Sequence, residues 1–430
     1  MNYELEKVLS FIGHDAEARL TLLRNVEEKL CVINGKVDKQ QRSESVSLAI
    51  TLYMDGREGF FYTNVLDDES LARFVRQSIE TTRLLAPDPA RGLVSPERYY
   101  RGGGADLCNC DRTLEHIPVD QKLALAFQSN AEAHGIDPRV INVDSRFVAR
   151  THEARYLTTN GFDASESSSR CTLTTLVSVQ GEGDAKPMDG WGQTRLFFSE
   201  LPAKGIGQIA LQRALRKIGQ RPVPAGRYTM VVESPVAGDL LQPMLTALNG
   251  QALQQRSSFL QDKLGEQVGS EKLHLIDNPH IPGTRGATYF DYDGAATSPR
   301  QVFDHGRLST YFIDTPMSRK LQMPPTTQGP HHLIFQPSDT SLDEVLRQHH
   351  ECILVTDFNG GNCNPVTGHF SYGIEGFLYR DGLLVQPISG MNITGTMLDL
   401  WQHLVQVAND ADPYEMDLIP SLVFEAVAFS

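Results

Sequence analysis

HHECILVTDFNGGNCNPVTGHFSYGIEGFLYRDG, residues 349–382, decides how the second half of this 430-residue chain is read. Its side chains invite one reading and its periodicity another. His349, His350, Glu351, Cys352, Asp357, Cys363 and His369 are residue types that bind metals or move protons. Periodicity divides the same residues differently. SLDEVLRQHH, running into the stretch, predicts a helix with Leu342, Val345 and Leu346 on its apolar face. Ser341 can cap it, and His349-His350 fall in its last turn, where imidazoles suit the helix dipole without a metal. ECILVTDF then reads as a buried strand, Asn359-Gly360-Gly361-Asn362 as a turn, and HFSYGIEGFLY as the next strand. Adjacent strand residues point to opposite faces, so the ligand types scatter. His349, Cys352, Cys363 and His369 are the candidates for a metal site here, but coordination needs geometry rather than composition.

Working outward, the strand pattern continues on both sides. RPVPAG (221–226) marks a boundary, beyond which YTMVVES, TYFDYDG, QVFDHGRLSTYFID and LLVQPI read as short strands. Asp293-Gly294, His305-Gly306 and Asp381-Gly382 supply the turns. Residues 221–430 are therefore expected to form a mainly antiparallel, barrel-like β domain, with helices at 238–248 and 395–408.

Residues 1–220 read as an α+β domain with an internal duplication. In the first unit (1–85), residues 2–12 and 15–30 read as helix, then strand or strand-like sequence. A hairpin about Asp55-Gly56 comes next, and then the helix DDESLARFVRQSIETTRLL, with Leu71, Phe74, Val75 and Ile79 on one face. The second unit (114–220) repeats the order. Helix VDQKLALAFQSNAEAHG leads to a strand hairpin at VINVDSRFVARTHEARYLTTN, to the strands CTLTTLVSVQG and GQTRLFFSEL, and to helix GIGQIALQRALRKIG. Residues 86–113, with Gly102-Gly103-Gly104, read as the linker.

Composition excludes several classes. Asp and Glu number 53 against 39 Lys and Arg, a net charge of -14, and no basic cluster offsets it, so direct nucleic-acid binding is not expected. No apolar run approaches the roughly 20 residues of a membrane helix. The N-terminus lacks the basic and apolar regions of a secretory signal, so a cytoplasmic location and no membrane association are expected. Six cysteines without repeating spacing do not make a disulfide framework, and Cys108 and Cys110 read as ordinary thiols. His152-Glu153 opens like a zinc-protease helix, but Tyr156 and Leu157 stand where a second histidine is needed and the segment alternates like a strand. GIGQIA (205–210) imitates a dinucleotide fingerprint without a surrounding βαβ unit.

The opening stretch also carries a resemblance. Asn364-Pro365-Val366-Thr367-Gly368, Phe370-Ser371, Gly373, Gly376-Phe377, Gly382, Pro387, Ile393-Thr394-Gly395 and Asn409-Asp410 closely resemble the C-terminal signature of the TldD/PmbA family. The block NGKVDKQQRSESVSLAITLYMDGREGFFYTN and the middle elements IDNPHIPG, FDYDG and FDHGRLSTYFIDTPMSRKL are similar to the family as well. Members have carried the label modulator of DNA gyrase.

The resemblance implies an intracellular metalloprotease system that processes or degrades small unfolded peptides, built from two kinds of subunit. The TldD kind holds zinc with H-E-x-x-x-H on a helix and a cysteine near the C-terminus, whereas the PmbA (TldE) kind lacks that set and assembles with the first. Here the resemblance places Gln242, Pro243 and Ala247 at the three metal-helix positions. No His, Cys or Glu lies between Asp239 and Gly265, and no cysteine follows Cys363. An amide is no substitute for imidazole, and proline cannot act as a base. The chain also departs from the PmbA pattern at Cys363 and His369 and in a short C-terminal tail. The expectation is a non-catalytic PmbA/TldE-like subunit with no catalytic residue and no cofactor of its own, zinc residing in a TldD-like partner. Alternatives are a metallopeptidase with a displaced metal site and a homodimeric peptide-binding protein.

Overall fold

In the computed structural model, which describes residues 4–430, the chain begins with helix α1 (Leu5–Ile12); residues 2–3 of the expected first helix lie outside the described residues. Ala18, Leu20, Leu22, Val26, Leu30 and Val32 are buried at even positions of a single strand, β1 (Glu17–Ile33). The strand-like sequence at 15–30 is this strand: Leu, Glu and Lys favour helix locally, but alternating burial in a sheet outweighs that preference. Asn34-Gly35, both at positive φ, turns β1 onto β2 (Lys36–Met54), and Asp55-Gly56 turns β2 onto β3 (Arg57–Thr63) as the sequence predicts. Helix α2 (Asp68–Leu84) comes after β3, its Asp67 cap accepting a hydrogen bond from the Ser70 N–H at 2.9 Å.

The same order recurs as α3 (Val119–Ala131), β4 (Val140–Thr158), β5 (Asp163–Val179), β6 (Met188–Arg195) and α4 (Ile206–Arg216). The hairpin expected within 140–160 is one continuous strand, and its turn falls at 159–162, around Gly161. The sheet order β3-β2-β1-β4-β5-β6 is symmetric about the antiparallel β1–β4 pair. One face of β1 packs against α1 and α2 near its start and contributes Leu30 and Val32 to the core beneath α3 near its end. The 86–113 connection is irregular but buries Leu93, Val94, Tyr99 and Leu107; Tyr99 stacks on Phe162 at 4.9 Å.

The second half runs β7 (Gly226–Val232), α5 (Ser234–Ala247), α6 (Gly250–Gln254), β8 (Leu275–Asp277), β9 (Arg300–Asp304), β10 (Arg307–Leu308), α7 (Thr315–Leu321) and β11 (Leu333–Phe335). It continues through α8 (Leu342–Gln348), β12 (Glu351–Cys363), β13 (His369–Arg380), β14 (Leu383–Thr396), α9 (Met397–Gln402), β15 (Leu404–Val407) and β16 (Leu422–Phe429). Strands β14-β13-β12-β7-β16-β15 form one sheet, and β14 also pairs with β16, closing five strands into a barrel. Pairing is antiparallel except between β7 and β12. Inward residues such as Met230, Ile353, Ile374 and Phe424 share a core with Leu240, Leu241 and Met244 of α5 and with Trp401. The outward residues Val231, Cys352 and Leu354 pack under Val345 and Leu346 of α8, which is closed by a capping box between Ser341 and Glu344. A smaller sheet has the order β10-β9-β8-β11.

Three local expectations change. Asn359-Gly360-Gly361-Asn362 is no turn but an irregularity inside β12, where the register against β13 shifts between Phe358 and Gly361. The turn lies at Asn364–Gly368, where the Asn364 side chain accepts from the Val366 and Thr367 N–H groups at 2.9 and 3.2 Å. TYFDYDG is not a strand but a turn organised by Asp291, whose carboxylate accepts from Asp293 and Ala295 N–H at 2.9 and 3.0 Å. The helix expected at 395–408 stops at Gln402, and Leu404–Val407 joins the sheet as β15.

Close backbone packing within the barrel leads to a test. A Cβ on Gly376 would stand 2.0 Å from the Leu354 carbonyl oxygen, whereas on Gly238 in α5 the nearest atom is Ile419 Cδ1 at 3.6 Å. Gly376→Ala is expected to destabilise the protein by about 2 kcal/mol or more. Gly238→Ala is expected to be neutral or stabilising by up to about 1 kcal/mol. Denaturant midpoints check both, and equal midpoints for the two variants would contradict this packing.

Candidate functional site

Helix α5 begins at Ser234-Pro235, where proline suits the first turn, and continues through Ala, Leu and Met residues that the barrel core buries. Pro243 sits inside it and removes a backbone donor that a regular helix would use. Gln242 is exposed, Pro243 is half-buried and Ala247 lies 1% exposed in the core. One amide, one ring without a donor and one methyl offer no imidazole, thiolate or carboxylate, so Gln242, Pro243 and Ala247 do not make a zinc site.

Beside α5, Asp239 and Leu240 face Phe358, Gly360, Gly361 and Tyr372 across a cavity of about 210 Å³. Desolvation raises the Asp239 carboxyl above the usual carboxylate range, and the charge of Asp357 adds to it. Burial raises the Cys363 thiol, and it pushes the Tyr372 phenol up to about 12, with Cys363 and Asp239 contributing. A reactive or metal-binding thiol needs the opposite shift.

The other candidates are dispersed. Cys352 is fully buried under α8, while Cys363 lies at the far end of the same strand, on the order of 30 Å away at about 3.3 Å per residue. His349 caps the C-terminus of α8, and His369 is exposed at the start of β13, just across the turn from Cys363. His152 lies on β4, as its alternation implies, where Nδ1 meets Asn25 Oδ1 at 2.8 Å; Glu153 is next to Arg24. Gly205 and Gly207 begin α4, and their N–H groups, at 2.9 and 3.1 Å, donate to the Glu132 carboxylate.

Tertiary structure creates a larger feature between the two halves. A cleft of about 730 Å³ is bounded by Thr172 and Thr174 of β5, by Gly190-Trp191-Gly192 of the edge strand β6, by the start of α5 and by the loop 410–417. Arg213 of α4 holds its floor together, bonding Asp189 at 3.2 Å and Glu233 at 2.9 and 3.0 Å. Lys217 links Asp189 at 3.1 Å to Glu375 of β13 at 2.8 Å, and these carboxylates keep it charged against the penalty of burial. The loop contributes Asp410, Asp412, Glu415 and Asp417; burial raises the Asp417 carboxyl even though it accepts the Leu333 N–H at 2.9 Å. None of the lining residues is His or Cys. The cleft has room for an extended chain against a sheet edge and an acidic rim, and among the described residues its carboxylates do not converge into a metal-binding cluster. Sequence reasoning passed over Asp412, Glu415 and Asp417, although four acids within eight residues are a visible charge run.

Asp239 provides a test of this region. A raised carboxyl pKa means that the folded state holds its proton more tightly, so stability falls as pH rises from the unfolded value, about 3.9, through the folded one. Asp239→Asn is therefore expected to raise the thermal midpoint at neutral pH and to leave it unchanged near about pH 3. Thermal unfolding at the two pH values checks it, and an equal gain at both would refute this account.

Models of PmbA/TldA metallopeptidase domain 1, central domain and C-terminal domain match residues 21–82, 112–218 and 225–430. Metalloprotease PmbA of Escherichia coli O157:H7 is 24% identical over 382 residues, 88% of this chain and 84% of that one. A metalloprotease PmbA homolog of Haemophilus influenzae is 26% identical over 424 residues, 95% and 92% of the two chains. A Bacteroides thetaiotaomicron structure named for modulation of DNA gyrase superposes with a TM-score of 0.97 at 41% identity, covering 99% of this chain and 97% of that one. TldE of Thermococcus kodakarensis shares the fold, with a TM-score of 0.88 at 18% identity over 99% of both chains. By model matches across most of its length and by close likeness to a solved relative, the chain belongs to the PmbA/TldD metallopeptidase family.

Proposed function

We propose that this chain is the non-catalytic, PmbA/TldE-like subunit of a two-component peptidase, and that the zinc and the bond-breaking chemistry belong to a TldD-like partner. One observation carries the reading. The positions that the resemblance assigns to the family's metal helix lie on α5 and carry Gln242, Pro243 and Ala247, which supply no imidazole, thiolate or carboxylate to bind zinc or act as a base. The likeness to PmbA proteins of Escherichia coli and Haemophilus influenzae, and to a TldE fold, supports the assignment to this kind of subunit. A TldD homolog of Haemophilus influenzae is also related, at 23% identity over 384 residues, as expected for two subunits of common ancestry.

Its own contribution would be to position that partner and to hold small unfolded peptides in the cleft. An extended peptide laid along β6 gains backbone hydrogen bonds that do not depend on its sequence, and Gly190 and Gly192 leave room for close approach. Trp191 between them offers a flat apolar surface, and the acidic loop favours peptides of basic or neutral character.

Mixing the purified chain with a TldD-like subunit and an unstructured peptide tests the proposal. The chain alone is expected to cut nothing, and the mixture to cut the peptide in a chelator-sensitive manner. Trp191→Ala in the mixture should raise KM several-fold with kcat nearly unchanged, the pattern of lost binding. Chelator-sensitive cleavage by this chain alone would overturn the reading in favour of a displaced metal site. Self-association without recovery of any TldD-like chain would overturn it in favour of a homodimeric binding protein.

A further inference from the structure

Among the described residues, one trio of metal-binding side chains comes together, and it shares no residue with α5 or the cleft. His274 precedes β8, Asp304 ends β9, and His305 opens the β9–β10 turn. One donor atom from each lies within 4.8 Å of the other two. Sheet register produces the juxtaposition: Leu275 pairs with Phe303, so the residues flanking that pair, His274 and Asp304, lie side by side. The tight turn His305-Gly306, at φ 48 and 80, then folds the His305 ring against His274, with ring centroids 4.5 Å apart.

The donors are poised as ligands. His274 Nδ1 lies 3.4 Å from Asp304 Oδ1, yet it is buried without a hydrogen-bond partner. A solvated ion pair at a turn gives no reason to bury that nitrogen unsatisfied. Gln301 approaches His274 Nε2 at 3.5 Å, but its amide protons are already directed to the Leu275 and Phe303 carbonyls at 3.2 and 2.5 Å. His305 Nδ1 faces the Glu271 carbonyl at 3.1 Å; donation there fixes the tautomer and leaves the Nε2 lone pair free.

We propose that His274, Asp304 and His305 bind a divalent transition-metal ion of the zinc class. Two imidazoles and one carboxylate suit zinc and its neighbours, whereas calcium and magnesium prefer all-oxygen sets. Asp304 and His305 are exposed, so water completes the shell and the ion exchanges with solvent. The ion pins the β9–β10 turn to the segment that enters β8. It makes no demand on the peptidase reading, because that reading concerns cleavage with a partner and this one concerns an ion held by the chain alone.

The full chain, stripped with chelator and titrated with Zn2+ against a chromogenic competitor, tests the site. The expected result is one ion per chain at micromolar affinity. Affinity should weaken about tenfold or more in His305→Asn, a substitution that tolerates the positive φ, and in Asp304→Asn. Co2+ in place of zinc should give visible ligand-field bands that both variants lose. In the wild-type chain, Co2+ should also broaden the His274 and His305 imidazole signals in NMR, which keeps the test open if a variant fails to fold. The proposal is overturned by absence of saturable binding, by unchanged affinity in both variants, or by broadening at other histidines.

Discussion

Ile393 and Thr394 of β14 pair in register with Phe429 and Ala428 of β16, and the five-stranded ring of the second half closes at that point. An open sheet would leave two rows of backbone donors and acceptors exposed; closure removes them and gives the strands a distinct inside and outside. Almost everything else in this half depends on that division. Inward residues of β7, β12, β13 and β16 form one core with α5 and Trp401, and outward residues form another beneath α8. Helix α5, whose side chains carry the functional reading, is held in place because its Leu240, Leu241 and Met244 fill the closed interior.

The relation between the halves rests on charge and aromatic contacts of a different kind. Arg19 of β1 is buried and bonded to Asp293 of the Asp291-organised turn, with its guanidinium 4.2 Å from the Tyr292 ring centre. Phe290 from the same turn meets Tyr156 of β4 edge-on at 5.4 Å. On the other side, Arg213 of α4 and Lys217, which caps its C-terminus, reach Glu233 and Glu375. A buried cation bonded to its carboxylate is costly to separate, so these contacts hold the two halves in register and keep the cleft between them open to a defined width. The acidic loop 410–417 hangs over that cleft because Asp410 is tied to Ser421 at 2.7 Å and Glu415 to Arg285 at 3.0 Å.

Legibility in the sequence tracked the range of the interaction. Asp55-Gly56, the Ser341 cap and the Leu71, Val75, Ile79 face of α2 were readable because neighbours within a few residues decide them. β1 was less sharply legible because its Leu, Glu and Lys favour helix locally, while the alternation that overrides them matters only once β2 and β4 lie on either side. Asn359-Gly360-Gly361-Asn362 has turn composition, but a Cβ on Gly361 would stand 2.0 Å from the Ser371 carbonyl oxygen. The glycine there serves close strand approach, and Asn364 makes the turn. The cleft was invisible for the same reason: Trp191 and Asp417 are far apart in the chain and meet only through the packing of the halves.

Amino-acid chemistry alone determined what α5 can do, since no folding gives glutamine, proline and alanine the donors of imidazole and carboxylate. It also determined the family, through a signature spread along most of the chain. Only the tertiary structure decided which of the remaining ligand-type residues meet. His349, Cys352, Cys363 and His369 are close in sequence and are divided among a helix end, two ends of one strand and the start of the next. His274 is far from Asp304 and His305 in sequence and is brought beside them by strand register. Side-chain chemistry is local to a residue, but convergence on a point depends on register and closure, which long-range hydrogen bonding sets.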